Sequence, residues 1–314
     1  MNILVTGACG FVGTRLIRKL ADCPRAYVFA SLHDKEPNGF GAGFLSCDVT
    51  NYRRVLEIIV NFEIDQIYHL AAKSIVRNCR CDPLGCFETN IMGTANILEA
   101  ARQSGRVKGI LLMESDKSYG TGPVPYQEDQ ALNPGGVYEA SKACVSHLMT
   151  TYHRNYDLPV FSVRSANVYG PGDRNMTRLI PNTIMRILRG ERPQIVEGAA
   201  DYVREFIYVD DVCECMIHLM QIADKGGSVC GQAINVGSGE AHAIGQVVQK
   251  ICTIMDAPDF VDAWERPKTL TEIETQYLCL DKLRTLYLDY TPTPLVDGLR
   301  KTIDYYTLAY EDEE

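Results

Sequence analysis

The stretch Asn2-Ile3-Leu4-Val5-Thr6-Gly7-Ala8-Cys9-Gly10-Phe11-Val12-Gly13 decides the fold. Its opening is a short apolar run rich in β-branched residues, which reads as a buried strand. Glycines then recur at positions 7, 10 and 13. Thr14 to Leu20 carries apolar residues at 16, 17 and 20 with Arg15, Arg18 and Lys19 between them, an amphipathic helix. A G-x-x-G-x-x-G alone is weak evidence; strand, glycine turn and helix in that order make it strong. The first glycine permits the tight turn and the second lets the backbone approach a pyrophosphate. The third permits close helix–strand packing, while the helix N-terminus attracts phosphate. Gly7, Gly10, Phe11, Val12 and Gly13 are therefore candidate dinucleotide-binding residues.

Beyond this turn the same rhythm continues. Tyr27 to Leu32 reads as a second strand, and Phe44 to Val49 as a third. Arg53 to Phe62 is an amphipathic helix. Gln66 to Ala72 is a fourth strand ending in small residues, where Leu70, Ala71 and Ala72 would let a flat cofactor lie against the backbone. Glu88 to Arg102 reads as one long helix and Gly109 to Met113 as a buried strand. A helix over Val137 to Tyr156 and a strand over Val160 to Arg164 follow. Strands alternating with helices predict parallel βαβ units and a doubly wound α/β sheet. From Arg178 the rhythm loosens into a helix (Leu179 to Arg189), a short strand near Gln194, the run Arg204 to Val212, a strand over Gln232 to Val236, and helices over Ile244 to Met255 and near Leu295 to Tyr306. The expectation is a nucleotide-binding domain over 1–170 and a smaller C-terminal α/β substrate lobe over 171–314, with some segments of the latter returning to the sheet.

An acidic residue about 20 positions past the glycines would hold a ribose 2′-hydroxyl. Ser31 occupies the expected place, Asp34 comes slightly late, and no arginine greets a 2′-phosphate, so NAD is preferred over NADP without excluding the latter. Asp48, with Val49 beside it, could meet an adenine or cap the following helix.

Composition narrows the class. Hydrophobic residues at 46% and charged residues at 23% are ordinary globular values, and a net charge of −9 argues against non-specific nucleic-acid binding. No signal-peptide pattern precedes the first strand, and no apolar run approaches the ~20 residues that span a bilayer. The reading is a soluble, cytoplasmic protein that binds neither nucleic acid nor membrane. The 12 cysteines include Cys79, Cys81 and Cys86 close together, but these spacings do not match paired C-x2-C knuckles, so reduced thiols and no metal are expected.

The chemistry concentrates in Met113-Glu114-Ser115-Asp116-Lys117-Ser118-Tyr119-Gly120 and in Tyr138-Glu139-Ala140-Ser141-Lys142. The first sets a hydroxyl, a carboxyl and an amine at a strand's C-terminal end, where ligands of open α/β sheets bind. The second puts a phenol and an amine on one helix face. A nearby ammonium lowers a phenol's pKa, which makes Tyr138 a candidate base for a substrate hydroxyl while hydride leaves to a nicotinamide. Ser115 can bond the same oxygen.

Together with His69-Leu70-Ala71-Ala72, Asn90-x-x-Gly93-Thr94, Asn167-x-Tyr169-Gly170-Pro171, Arg204-x-Phe206-x-Tyr208-Val209-x-Asp211 and Asn235-x-Gly237-Ser238-Gly239, these stretches resemble the extended short-chain dehydrogenase/reductase superfamily, in its nucleotide-sugar epimerase/dehydratase group. The resemblance covers nearly the whole chain. It implies a Rossmann-type sheet, a bound NAD(P), a nucleotide-diphosphate sugar as substrate, and a homodimer built on the Glu88 and Tyr138 helices. Asn167, Arg178, Leu179, Arg204 and Arg266 are then expected on the sugar-nucleotide side, and guanidinium groups suit a pyrophosphate.

Asp116 and Lys117 separate the subclasses. Ser115-Asp116-Lys117 resembles the Asp-Lys variety of CDP-glucose 4,6-dehydratases and C5-inverting UDP-N-acetylglucosamine dehydratases, whereas 4-epimerases typically carry small or neutral residues there. The implied reaction oxidises C4, removes the C5 proton with Lys117, expels the C6 hydroxyl with Asp116 and returns hydride to C6. For this Asp116 must start protonated and Lys117 neutral, which requires a dry pocket. The compact chain is also similar to GDP-4-keto-6-deoxy-mannose reductases, and a non-catalytic NAD sensor is the reading from a different class.

Overall fold

A computed structural model describes residues 1–24, 26–32, 43–257, 262–264 and 273–311. The strands in chain order are β1 (Asn2–Thr6), β2 (Tyr27–Leu32), β3 (Gly43–Ser46), β4 (Gln66–His69), β5 (Gly109–Ser115), β6 (Val160–Ser165), β7 (Asn167–Tyr169), β8 (Gln194–Val196), β9 (Val203–Tyr208), β10 (Ala233–Val236), β11 (Ala241–Ala243), β12 (Asp262–Trp264) and β13 (Thr275–Gln276). The helices are α1 (Phe11–Ala21), α2 (Tyr52–Asn61), α3 (Val76–Cys81), α4 (Pro83–Phe87), α5 (Gly93–Ser104), α6 (Val137–Tyr156), α7 (Leu179–Leu188), α8 (Val209–Asp224), α9 (Ile244–Ile254), α10 (Asp281–Leu286) and α11 (Leu295–Glu311). A seven-stranded sheet in the order β10-β6-β5-β4-β1-β2-β3 is parallel at every pairing. This is the Rossmann-type doubly wound α/β fold, with the strand order reversing at β1.

The two faces of the sheet are covered by different helices. Ile3, Val5, Leu111, Phe161 and Val163 pack with Leu16, Ile17 and Leu20 of α1 and with Val212, Met216 and Leu219 of α8. Leu4, Ile67, Ile110, Leu112 and Val160 pack with Ile58 and Ile59 of α2, Ile97 and Leu98 of α5, and Val145 and Met149 of α6. Alternate residues of each strand therefore serve opposite cores, which explains why these strands read as continuous apolar runs. Each fully buried Leu or Ile contributes about 1.5–3 kcal/mol. A third cluster holds the C-terminal elements together through Tyr169, Ile180, Ile184, Tyr208, Val247, Ile251, Leu295 and Leu299. Residues after 170 contribute both α8 and the edge strand β10, which pairs with β6.

Several elements differ from the sequence reading. The third strand stops at Ser46, because the Asp48 carboxylate accepts the Thr50 N–H (2.9 Å) and hydroxyl (2.8 Å) and turns the chain. The next helix begins at Tyr52 and is capped by Asn51, which accepts from the Arg54 N–H at 3.1 Å, so Asp48 is not its cap. The fourth strand ends at His69 and the small residues lie beyond it. The long helix is a π-turn over Glu88–Met92 followed by α5. That wide turn brings the Asn90 side chain onto the Lys73 backbone and the Ser141 hydroxyl. The final helix runs on to Glu311. The helix α8 went unread because it is buried on several sides and carries no clean polar stripe.

Candidate active site

The glycine turn is a cradle closed to side chains. Gly7 takes φ +67°, and a Cβ there would sit 2.7 Å from the Ala71 nitrogen and the Leu70 carbonyl carbon. At Gly13 a Cβ would lie 2.3 Å from the Gly7 oxygen. Gly10 precedes α1, and no side chain caps that helix and no acid occupies its first turn. Its leading N–H groups therefore suit a diphosphate. Phe11 and Val12 are half-buried in that first turn, and Leu70, Ala71 and Ala72 are half-buried at the mouth of β4. Ser31 ends near β2's C-terminal edge with its hydroxyl 3.4 Å from the Cys47 carbonyl, while Val49 is buried beside half-exposed Asp48. The uncapped N–H donors that open α1 thus fit an anionic dinucleotide. Asp34 lies outside the described residues.

The strand β5 ends at Ser115, and a 3₁₀ turn over Asp116–Tyr119 follows. Gly120 at φ +63° closes this turn, where a Cβ would strike the Asn133 carbonyl. Tyr119 and Tyr126 stack beneath it at 4.9 Å, with the Tyr119 hydroxyl bonded to Asn235 at 2.7 Å and the Tyr126 hydroxyl to Gly120 O at 2.6 Å. The turn carrying the polar cluster is therefore anchored from below.

Across from it, α6 presents Tyr138 and Lys142. The Lys142 ammonium donates to the Met113 carbonyl at 2.6 Å, and burial pushes its pKa down to about 8. Tyr138 packs against Cys79 and Cys86. Burial pushes its phenol well above the ordinary range, with the Ser115 hydrogen bond and Arg178 pulling the other way. The expected lowering of the Tyr138 phenol by Lys142 is thus not found, because desolvation of a phenolate dominates and the amine is aimed at a backbone carbonyl. Asp116 is 1% exposed. Its Oδ1 accepts the Ser115 hydroxyl at 3.1 Å, and its Oδ2 has no partner among the described residues. Burial raises this carboxyl, and Lys117, the Ser115 bond and Arg204 oppose the rise without undoing it. Lys117 is half-buried beside it.

Among the C-terminal elements, Arg178 occupies the N-cap of α7 and donates to Asp173 at 2.9 Å, with Leu179 opening the helix. Asn167 on β7 donates to the Glu205 carbonyl at 3.0 Å. Arg204 on β9 is buried and donates to the carbonyls of Val203 (2.9 Å) and Glu274 (3.1 Å). Arg266 lies outside the described residues. Ser115, Asp116, Tyr138, Arg178 and Arg204 are thereby electrostatic neighbours.

Comparison with known families matches residues 3–237 to the family described as NAD dependent epimerase/dehydratase family. The chain belongs to this epimerase/dehydratase family. It is 30% identical to a trifunctional UDP-glucose 4,6-dehydratase/UDP-4-keto-6-deoxy-D-glucose 3,5-epimerase/UDP-4-keto-L-rhamnose-reductase of Arabidopsis thaliana, over 98% of this chain and 47% of that protein. The chain thus spans about half the length of the plant proteins that it matches. It is 28% identical to a UDP-glucose 4-epimerase of Mycolicibacterium smegmatis, over 98% of both chains. Among solved structures, the Bacillus cereus UDP-glucuronic acid 4-epimerase in complex with UDP-glucuronic acid and NAD superposes with a TM-score of 0.89 at 26% identity, covering 99% of this chain and 100% of that one. No helix among the described residues is long and apolar enough to cross a membrane.

Sequence reasoning missed much of the polar scaffold of this epimerase/dehydratase site. His69 is buried between Thr6 (Nδ1, 2.8 Å) and Thr94 (Nε2, 3.0 Å). The Thr94 hydroxyl donates to the Asn90 carbonyl, so Nε2 carries the proton and Nδ1 accepts from Thr6. Burial and the Lys142 charge push His69 down to about 3. The unfolded chain therefore takes up this proton first, and the stability His69 contributes is present above about pH 6.5 and lost as pH falls toward about 3. The rate is up to about 1.4 kcal/mol per pH unit. The raised carboxyls of Asp116 and Glu205 act in the opposite sense. Denaturant unfolding of wild type against His69→Asn isolates the effect: their stability difference is expected to be constant above pH 6.5 and to shrink below it. A difference independent of pH would contradict the neutral His69.

Proposed function

We propose that this chain is an NAD-dependent nucleotide-diphosphate-hexose 4,6-dehydratase, a lyase yielding a 4-keto-6-deoxy sugar nucleotide. The observation that carries this reading is Asp116: a carboxyl that is fully buried, raised by that burial, and half unpartnered. A carboxyl kept neutral can give a proton to a leaving hydroxyl, which neither an epimerase nor a simple oxidoreductase of this type requires. NAD in the glycine cradle would supply a hydride acceptor for C4 and a hydride donor for C6. Tyr138 would take the C4 hydroxyl proton, with Ser115 bonding the same oxygen, once Lys142 and the positive charge of a bound cofactor together draw the buried phenol down. The C4 ketone acidifies C5, where Lys117 removes the proton while Asp116 protonates the departing C6 hydroxyl, and Lys117 then returns a proton to C5 as C6 receives hydride. Arg178 and Arg204 would balance the diphosphate, and enclosing the sugar would exclude the water that favours an Asp116–Lys117 ion pair.

A 4-epimerase would use Tyr138, Lys142 and Ser115 and leave Asp116 and Lys117 without chemistry. The likeness to the M. smegmatis UDP-glucose 4-epimerase along nearly its full length favours that second reading. A homodimer through α5 and α6 is part of the proposal, since Met92 and Tyr156 expose apolar surface at the ends of that helix pair. Incubation with UDP-, dTDP-, CDP- and GDP-hexoses distinguishes the two readings. The dehydratase is expected to give a product lighter by one water, whereas an isomer of unchanged mass inverted at C4 would overturn it.

A further inference from the structure

The inner face of α6 carries Tyr138, Lys142 and Ser146 at successive four-residue steps and packs against β5. Ser115 lies near the Tyr138 phenol and favours its ionised form. The Met113 carbonyl accepts from Lys142 at 2.6 Å. Between them, the Glu114 carboxylate accepts the Ser146 hydroxyl at 2.5 Å and the Arg164 Nε at 3.1 Å, both through Oε2. Arg164 also donates to Ser146 at 2.8 Å and to the Tyr119 hydroxyl at 2.9 Å. The Oε1 of Glu114 is buried without a partner among the described residues, and the side chain has 0% exposure. A carboxylate with half its acceptor capacity unused is costly in a sheet interior normally filled by Val, Ile or Leu. The hydride chemistry assigned to Tyr138, Lys142 and Ser115 does not itself call for it.

We propose that Glu114 is a positioning residue that balances and aims Lys142, with Ser146 as its link to α6, so that the working unit is Tyr138-Lys142-Ser146 set against Met113-Glu114-Ser115. This rests on the reading that Tyr138 and Lys142 act on a sugar hydroxyl. A carbonyl hydrogen bond orients the Lys142 amine but brings no counter-charge. Glu114 is the strongest influence favouring the charged form, ahead of Cys86 and Cys79 on α4 and α3. Neutral His69 from β4 also feels the Lys142 charge. Arg164 from β6 is bound to Glu114. Without Glu114, the buried Lys142 would lose its strongest favourable charge and the buried Arg164 its ion-pair partner.

The test is the titration of Lys142 in the full chain labelled with ¹³C-lysine, its resonance assigned by its loss in Lys142→Gln. The wild-type midpoint is expected near 8. Glu114→Gln is expected to lower it by about one pH unit or more, a tenfold loss of ammonium above the new midpoint. The alkaline limb of kcat for sugar oxidation should move down by the same amount, with KM unchanged. Ser146→Ala keeps the charge but loosens its hold, and a smaller fall in midpoint with a severalfold lower kcat is expected. A folded Glu114→Gln with the wild-type midpoint would overturn the proposal; should that variant not fold, an unchanged midpoint in Ser146→Ala would do so. If the midpoint moves while sugar oxidation keeps its pH profile, the charge coupling stands and the catalytic reading of Lys142 fails.

Discussion

Replacing Tyr138 with phenylalanine is expected to slow sugar oxidation by about 10²–10⁴-fold, the usual contribution of a positioned acid–base group. The substitution removes only the hydroxyl. The ring keeps its packing against Cys79 and Cys86, so folding and cofactor retention should be unaffected. The readout is reduction of the nicotinamide in a single turnover with saturating nucleotide sugar. Because burial holds the phenol high, the cofactor's positive ring and Lys142 must together draw it down before it can accept a proton. Sugar oxidation by the wild type should therefore strengthen as pH rises toward the Lys142 midpoint near 8, and Tyr138→Phe should flatten that rise. Oxidation at the wild-type rate in Tyr138→Phe would remove the phenol from the reaction.

Asp116→Asn and Lys117→Ala should each cut water elimination by about 10²–10⁴-fold while leaving C4 oxidation largely intact. The two steps use different groups, so an oxidised 4-keto hexose with its C6 hydroxyl still in place should accumulate, and mass spectrometry of the quenched mixture would detect it. Asp116→Asn keeps the shape that fills the buried turn and the bond to Ser115 but offers no acidic proton. Since burial raises the Asp116 carboxyl, elimination should fail as pH rises through that raised value, not as it falls. Full dehydration in either variant would make the pair a structural turn.

Much of this was legible in the chain. The Gly7-to-Gly13 turn announced β1 and α1 because glycine spacing and strand–helix order constrain each other, and the helix α6 is observed from Val137 to Tyr156 as its pattern predicts. Tyr138, Lys142 and Ser115 could be paired because four-residue helical spacing and a strand end are both readable in one dimension. The scaffold behind them was not. Glu114 looks like the end of an apolar run, and only the register placing it opposite Arg164 on β6 makes the pair. His69 was quoted for its motif, yet its neutrality depends on burial and the Lys142 charge, and its tautomer on Thr6 and Thr94, all set by distant positions. The π-turn at Glu88–Met92 and the short helices α3 and α4 are set by tertiary bonds from Asn90 and by packing under Tyr138, not by periodicity. The fall of the Tyr138 phenol was misjudged for the same reason: sequence spacing reports proximity to Lys142 but not desolvation.

The most direct measurement follows the label in a nucleotide hexose deuterated at C4. If the chain is a 4,6-dehydratase, the product has lost one water, carries that deuterium on C6 and holds one solvent hydrogen at C5. If the deuterium is recovered at C4 of a sugar that has kept its C6 hydroxyl, Asp116 and Lys117 take no part in elimination and the account is wrong.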